Sequence, residues 1–276
     1  MKKQVFFATL SMIFLLLSFT LKPTGKGYDE IHYGDVDPME TEDYTVTLSD
    51  MHSQETFCLI RAEVKNKTKD YLFIDLGKVK FTLPNGNSAS PVSKRVKISP
   101  EASKKITIKS QPTAGLPAES LKVELEGISR LPVNGSVEEV EAYPLPDTKK
   151  KVESKNLSIA LTSLKKETRV TQVKWKVENK GESPILVNSS LLTATCKGND
   201  GEWSCESTAK DYQILWPGQK VNVKAEFRIP GREVDMQFAN MLIHWNKAYI
   251  SSKEVEVKGV NFQLEMDLGK TEGMNK

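Results

Sequence analysis

The chain has 276 residues, which at about 100 to 150 residues per domain allows about two domains. Hydrophobic residues make up 38% of it and charged residues 27%, a composition that excludes wholesale disorder and a multi-span membrane protein. The 39 basic and 36 acidic side chains leave a net charge of only +3, too small for the field of the whole chain to select a polyanion.

The first 21 residues have the pattern of a secretory signal peptide. Met1-Lys2-Lys3 is a basic start, and residues 5–17 are almost entirely apolar. This run is short for a spanning helix, which needs about 20 residues. Cleavage is the favoured interpretation; a retained signal anchor is the alternative, because residues 18–21 offer no small-x-small site. Either way the sequence predicts export to the periplasm, cell surface or medium, with membrane contact only through residues 5–21 if they are retained.

Residues 22–43 are rich in acidic side chains and are predicted to be a disordered spacer. Asp35, Asp37, Glu40, Glu42 and Asp43 could together bind calcium. However, the stretch lacks the glycine and the twelfth-position glutamate of an EF-hand loop. A solvated spacer is therefore the favoured interpretation.

An internal repeat organises the rest of the chain. Residues 48–67 align without gaps on residues 161–180, and both copies alternate with the period of two that indicates a half-buried strand. The predicted inward-facing residues are Cys58, Ile60, Ala62 and Val64 in the first copy and Thr171, Val173, Trp175 and Val177 in the second. Each copy continues with a turn, an apolar strand, a proline turn and another alternating strand.

This repeat predicts an all-β protein of two tandem immunoglobulin-like β-sandwich domains. The predicted first sandwich is residues 44–130, the linker 131–155, the second sandwich 156–267 and the tail 268–276. The strand, Asn-Lys turn, strand and proline turn resemble the small immunoglobulin-like domains of bacterial exported proteins, of the immunoprotective-extracellular or FxLYD type. The resemblance implies a location in the cell envelope and a binding or structural role.

A basic run between residues 78 and 109 supplies candidate binding residues, Lys94, Arg95 and Lys97. Anionic envelope polymers or lipids are one predicted partner, and a solvated sheet face is the alternative. Phe81 is the only aromatic residue in the run, so the interleaved aromatics of a nucleic-acid surface are missing. Nucleic acid is therefore not expected as a partner.

The second copy carries another candidate in a cysteine-flanked loop. Cys196 and Cys205 are predicted to form a disulfide across a hairpin, since disulfides persist outside the cytoplasm. Trp203 inside this loop is predicted to be an exposed ligand contact; the alternative is that it folds back over the hairpin. Cys58 faces inward in its strand and is predicted to be a small buried hydrophobe.

No catalytic, cofactor or metal site is predicted. His32, His52 and His244 lie in unrelated contexts without short metal-ligand spacings. A glycine-rich phosphate loop and a Gly-x-Ser-x-Gly elbow are also missing from the sequence.

The leading functional hypothesis is a non-enzymatic envelope protein, a scaffold or protein-binding module whose sheet edges accept a partner protein or surface polymer. One alternative is a two-domain periplasmic chaperone, which requires the two domains to be held at a fixed angle. The other is an accessory to a carbohydrate-active or other envelope enzyme, with carboxylate pairs that only folding brings together.

Overall fold

The computed structural model describes residues 27–146, 151–198 and 201–275, and over these residues the protein is all-β with one short C-terminal helix. Strands β1 to β11 are Glu30–His32, Met39–Glu40, Tyr44–Gln54, Phe57–Asn66, Tyr71–Asp75, Lys80–Thr82, Ser88–Ala89, Arg95–Ile98, Ser103–Lys109, Ser120–Leu125 and Ile128–Leu131. Strands β12 to β25 are Ser136–Val137, Tyr143–Leu145, Lys151–Glu153, Leu157–Glu167, Val170–Asn179, Ile185–Asn188, Thr193–Gly198, Gly201–Glu206, Tyr212–Leu215, Lys220–Arg228, Met241–His244, Tyr249–Ser251, Val255–Val257 and Val260–Glu265. Helix α1 is Leu268–Met274, and Leu76–Lys78 and Ser189–Leu191 are 3-10 turns. The predicted signal segment lies outside the described residues.

Two large hydrophobic cores divide these strands into two groups. Unit 1 is formed by the sheets β1-β3-β4-β9, β24-β11-β5-β8 and β25-β10-β6-β7, and its core, called core 1, includes Tyr44, Ile60 and Phe81. Unit 2 is formed by the sheets β14-β15-β16-β21, β12-β23-β17-β20 and β13-β22-β18-β19, and its core, called core 2, includes Trp175 and Trp245. The three sheets of unit 1, in the order given, correspond strand by strand to the three sheets of unit 2.

Two strands that occupy equivalent places in the two units come from different parts of the chain. In unit 2, β12 and β13 come from the segment just before the unit and pair with β23 and β22. In unit 1 the equivalent places are filled by β24 and β25, which pair with β11 and β10. The C-terminal part of the chain therefore returns from unit 2 to complete unit 1.

This return changes three of the expected boundaries. Residues 131–155, expected to be a linker, contain β12, β13 and β14, which all belong to unit 2. Residues 255–265, expected in the second domain, pair with unit 1 because Val260, Phe262 and Leu264 alternate into core 1. Residues 268–276, expected to be a loose tail, contain α1, which packs on β1.

The acidic segment is also more ordered than predicted. Within residues 27–43, β1 and β2 both pair with β3. Ile31 and Tyr33 are buried because they alternate along the strand direction, and the Tyr33 hydroxyl donates to the carbonyl of Ala118 at 2.8 Å. These two apolar side chains supply the burial that ordering the segment requires.

The predicted strand faces are confirmed. Cys58, Ile60, Ala62 and Val64 are buried along β4, and Thr171, Val173, Trp175 and Val177 are buried along β16. The intervening residues of β4 after Leu59 are exposed. Alternation alone therefore identified which side of each central strand faces a core.

The two copies also share a buried asparagine with the same hydrogen bonds. The Asn66 side chain donates to the carbonyls of Asp70 and Ser99, and its oxygen accepts from the backbone N–H of Thr68. Asn179 donates to the carbonyls of Ser183 and Leu215 and accepts from the N–H of Gly181. Each asparagine thus closes the turn after its strand and ties it to a more distant loop.

Candidate functional site

A groove on unit 1 combines an apolar floor with a basic rim. Phe57, Leu76 and Val92 line its floor, and Lys94 and Lys109 lie at its edge; its volume is about 690 Å³. Val92 is 68% exposed, so its apolar surface is accessible to a ligand. The groove can therefore bury apolar groups of a ligand while its rim faces a negative charge.

One wall of the groove is the edge strand β9. This strand pairs with β4 on one side and is the last strand of its sheet. Its exposed positions include Lys104, Lys105 and Lys109, and the side chain of Lys105 is 85% exposed. Lysines on an edge discourage pairing with an arbitrary strand. They remain compatible with an acidic partner.

Local contacts fix the rim. The Lys109 ammonium lies 3.8 Å from the centroid of the Phe57 ring, a cation–π arrangement that holds the lysine over the groove floor. The Lys104 ammonium donates to the carbonyl of Lys97 at 3.0 Å, which links β9 to β8. The Pro91 and Ser110 backbones meet in a β-bridge, so the two walls are also tied at this end.

The three predicted binding bases are separated by the structure. Lys94 lines the groove. Arg95 points instead to the junction between the units, where it forms an ion pair with Glu254. Its guanidinium lies 4.3 Å from the Phe73 ring centroid and 4.2 Å from that of Trp216, and Lys97 lies 5.4 Å from the Tyr71 ring. Arg95 therefore contacts both units at the junction, whereas Lys97 stays within unit 1.

The junction itself is apolar. Phe73 and Leu131 of unit 1 form a third hydrophobic cluster with Leu186 of unit 2, and all three are buried. Tyr71 stacks on Tyr212 across the junction with ring centroids 5.7 Å apart. Burial raises the pKa of Tyr212 to about 12, and the neighbouring Tyr71 adds to this effect. The units are thus docked through side chains as well as joined by the chain.

Two carboxylates near Arg95, those of Asp75 and Glu254, are occupied by structural contacts. A cavity of about 360 Å³ on unit 1 is lined by Asp75, Arg95, Glu254 and Glu256, among others. Asp75 accepts from the Gly77 N–H and from the Ser93 hydroxyl. Glu254 accepts from Ser129 and Arg95.

The predicted disulfide between Cys196 and Cys205 is wrong, because both cysteines are free. The predicted hairpin exists, formed by β18 and β19, but its register places Cys196 opposite Trp203 and Cys205 opposite Ala194. The cysteines are therefore diagonal neighbours. Diagonal side chains in a sheet are about 7–8 Å apart, which exceeds the reach of a disulfide.

Trp203 is not the exposed contact that the sequence predicted. It is partly buried and packs against core 2, folded back over its own hairpin. A Cβ added at Gly198 would lie 2.7 Å from the Trp203 ring, so the glycine makes room for the indole. Trp175 and Trp245 are core residues as well. All three of these tryptophans thus serve packing.

Three of the five acidic residues named as possible calcium ligands have separate cationic partners. Asp35 contacts Lys270 at 2.8 Å, Glu40 contacts Lys67 at 2.7 Å and Asp43 contacts Arg130 at 2.9 Å. These contacts spread the carboxylates over the surface of unit 1.

Two of the three histidines, by contrast, do not lie in unrelated places. His32 and His52 are cross-strand partners in the β1–β3 ladder, and with Glu30 they are able to hold a metal ion. The prediction missed this group because residues 27–43 were interpreted as disordered. The alternation of Ile31 with Glu30 and His32 was the available signal.

Within the described residues, the structure contains no helix that is both long and apolar enough to cross a membrane.

No protein-family model and no curated protein matches the sequence. Solved structures with some similarity include red sea bream transglutaminase, at 10% identity and a TM-score of 0.20, covering 79% of this chain and 31% of that chain. A variant of Bacillus subtilis oxalate decarboxylase matches at 10% identity and a TM-score of 0.19, covering 85% of this chain and 80% of that chain. This chain thus spans about a third of the transglutaminase. At these TM-scores the similarities support no conclusion about fold or activity.

Proposed function

We propose that this chain is a non-enzymatic, exported protein of the cell envelope, in which two immunoglobulin-like β-sandwich units form a scaffold that binds an acidic protein or surface polymer. The observation that carries the proposal is the groove beside the edge strand β9, with its apolar floor and its rim of lysines. Export rests on the basic and apolar N-terminal sequence.

The binding mode follows from the chemistry of the groove. An extended segment laid along β9 would find backbone hydrogen-bonding groups at the strand edge, which is how sheet edges accept a partner strand. Apolar side chains of the segment would cover Phe57 and Val92, while acidic groups would meet Lys94 and Lys109. Because the rim charges are exposed, the attraction should weaken with salt.

Crosslinking in intact cells of the native host tests the binding proposal. A photo-crosslinking residue in place of Val92 should recover a partner, and the same probe at Lys247, an exposed position on unit 2, should not. The double variant Lys94→Glu/Lys109→Glu should abolish the Val92 product, whereas Lys210→Glu/Lys247→Glu should leave it unchanged. Recovery of no protein or polymer from Val92 would contradict the proposal.

Cell fractionation tests the exported location separately. The full-length chain should be found outside the cytoplasm, either shortened by the N-terminal segment or attached to membranes through it. Replacing Lys2 and Lys3 by Glu should retain it in the cytoplasm, because a basic start directs insertion. A wild-type chain found in the cytoplasm would remove the envelope part of the proposal and leave the binding part standing.

The docked junction favours a second candidate, a periplasmic chaperone, because a chaperone needs its two domains held at a fixed angle. Arg95 lies at the junction, over the Trp216 ring of unit 2, although it is already paired with Glu254. A chaperone would suppress aggregation of an unfolded client at near-equimolar ratio, measured by light scattering. The scaffold proposal expects no such suppression.

A further inference from the structure

Three potential metal ligands converge at the outer edge of unit 1. His32 on β1 lies directly opposite His52 on β3. Glu30 precedes His32 by two residues, and side chains two apart in a strand share a face. The pairing of β1 with β3 therefore places two imidazoles and one carboxylate on the same side of the sheet.

The separations suit a small divalent ion. The Glu30 Oε1 atom lies 3.0 Å from His32 Nε2 and 3.9 Å from His52 Nε2. One ligand atom from each residue lies within 4.8 Å of the other two. Tetrahedral zinc has ligands at about 2.0–2.2 Å, which puts the ligand atoms about 3.3–3.5 Å from one another. The two Glu30–histidine separations bracket this spacing, so side-chain adjustments would bring the three groups onto such an ion.

One ring nitrogen of each histidine, His32 Nε2 and His52 Nδ1, is buried without a hydrogen-bond partner. His32 Nε2 is buried and no protein group forms a hydrogen bond with it, although Glu30 Oε1 is only 3.0 Å away. The two atoms are thus close without the alignment of a hydrogen bond. A buried polar atom in that condition is costly. A cation shared by the nitrogen and the carboxylate would satisfy both.

A second carboxylate lies on the other side of His52. Asp50 Oδ1 is 3.5 Å from His52 Nδ1 without forming a hydrogen bond, and Asp50 Oδ2 is 3.0 Å from the Arg61 Nε atom. Metal-binding histidines commonly have a carboxylate on the ring nitrogen that does not bind the metal. Asp50 can fill this role because the β3–β4 register shifts between Ser49 and His52, and Asp50 there adopts a φ of +46°. Bulges and strained residues of this kind recur next to functional sites.

Helix α1 and the residue after it fix β1, the strand that carries Glu30 and His32. The Thr271 hydroxyl accepts from the His32 N–H at 3.0 Å and donates to the His32 carbonyl at 3.2 Å. The Asn275 amide donates to the carbonyl of Glu30 at 2.8 Å. The backbone that carries two of the ligands is therefore fixed from both sides, by β3 and by the C-terminal helix.

We propose that Glu30, His32 and His52 form a binding site for a divalent transition-metal ion, with zinc as the best match and Asp50 as the residue that positions His52. Two imidazole nitrogens and one carboxylate suit zinc and its neighbours, whereas calcium and magnesium prefer oxygen ligands alone. The bound ion would fasten β1, and through it α1, to the centre of unit 1.

The test uses the untagged full-length protein, first stripped of metal with EDTA and then dialysed. Calorimetric titration with zinc chloride should give one site per chain. Cobalt(II) should produce the intense visible bands of tetrahedral coordination. His32→Ala and His52→Ala should each weaken zinc binding by at least about 100-fold, and Asp50→Asn by about 10- to 100-fold. His244→Ala, which removes the remaining histidine, is the matched control and should bind as the wild type does.

Two further measurements guard against variants that fail to fold. Glu30→Gln keeps the size of the side chain and should lose zinc affinity while the circular dichroism of the metal-free protein is unchanged. Zinc should also raise the melting temperature of the wild type and not that of His32→Ala/His52→Ala, because only a ligand that binds the folded state stabilises it. Absence of zinc binding by the wild type, or equal binding by the double variant, would overturn the proposal.

Discussion

At the scale of single residues, two buried asparagines stabilise the turns that follow β4 and β16. Asn66 is 1% exposed and Asn179 is fully buried. Each satisfies two carbonyls and one backbone N–H that would otherwise lack partners. An unsatisfied buried group costs about 1–3 kcal/mol, so these side chains specify the turn geometry as well as stabilise it.

We expect Asn66→Ala and Asn179→Ala each to lower the free energy of unfolding by about 2–4 kcal/mol, because several backbone groups lose their partners at once. Urea denaturation followed by circular dichroism, which reports the strands of both units, would measure the loss. Asn261→Ala, at an exposed position of β25, is the control and should change stability by less than about 0.5 kcal/mol. Equal effects at all three positions would show that the hydrogen bonds have little weight.

The cysteines give a second prediction at this scale. Burial raises the pKa of the Cys205 thiol to about 11 from its ordinary value of 9.0, and burial also raises the pKa of Cys196 and Cys58. Since the thiolate is the reactive form, native protein should react slowly with iodoacetamide at pH 8. Protein unfolded without reductant should take up three labels by mass spectrometry. Two unlabelled cysteines would instead indicate a disulfide.

The same pKa shift has a defined consequence for stability. A thiol that holds its proton more tightly in the folded state stabilises the fold fully below pH 9, and this stabilisation disappears as the pH rises from about 9 through 11. Wild-type protein should therefore lose more stability over this range than Cys205→Ala. Parallel pH profiles of the two proteins would contradict the prediction.

At the scale of elements, the junction decides whether the units move together. Leu186 on β17 is 1% exposed, between Phe73 and Leu131 of unit 1. It belongs to the apolar strand that follows the turn in the second copy, and the sequence pattern alone does not distinguish it from its neighbours in that strand. Only the pairing of β17 with β20 and β23 in the folded chain turns this side chain toward the other unit.

We expect Leu186→Ala to cost about 2–5 kcal/mol, as for other buried leucines, and to uncouple the units. Calorimetry should resolve two unfolding transitions where the wild type gives one. The pKa of Tyr212, raised to about 12 by burial at the junction, should move back toward 10 in a spectroscopic titration. The control Leu242→Ala, at a site 39% exposed on β22, should change neither measurement.

At the scale of the whole molecule, the return of the chain links the stability of unit 1 to residues far from it in sequence. β25 pairs with β10 over six consecutive positions, from Ser120 opposite Glu265 to Leu125 opposite Val260. Between β24 and β25, a Cβ added at Gly259 would lie 2.3 Å from the Leu125 carbonyl oxygen. Only glycine allows the returning chain to come this close to unit 1 where it crosses from one sheet to the next.

Truncation tests this arrangement. A chain that ends at Lys253 should lose the core of unit 1 and keep that of unit 2, because β24 and β25 are removed together with Phe262 and Leu264. Hydrogen exchange should show β4 and β10 unprotected and β16 still protected. A chain that ends at Asp267 keeps β25 and lacks only α1, so most protection of unit 1 should remain. Loss of unit 2 on truncation at Lys253 would contradict this assignment.

The sequence by itself determined the all-β class, the repeat and the buried faces of β4 and β16. These follow from alternation along a strand, which depends only on neighbouring residues. The order of sheet strands, the return of β24 and β25, the diagonal placement of Cys196 and Cys205 and the meeting of His32 with His52 were decided by the tertiary structure. Each depends on which strand pairs with which and in what register, and periodicity along one strand carries no information about the partner. The groove and the cluster of Glu30, His32 and His52 both arise from such pairings.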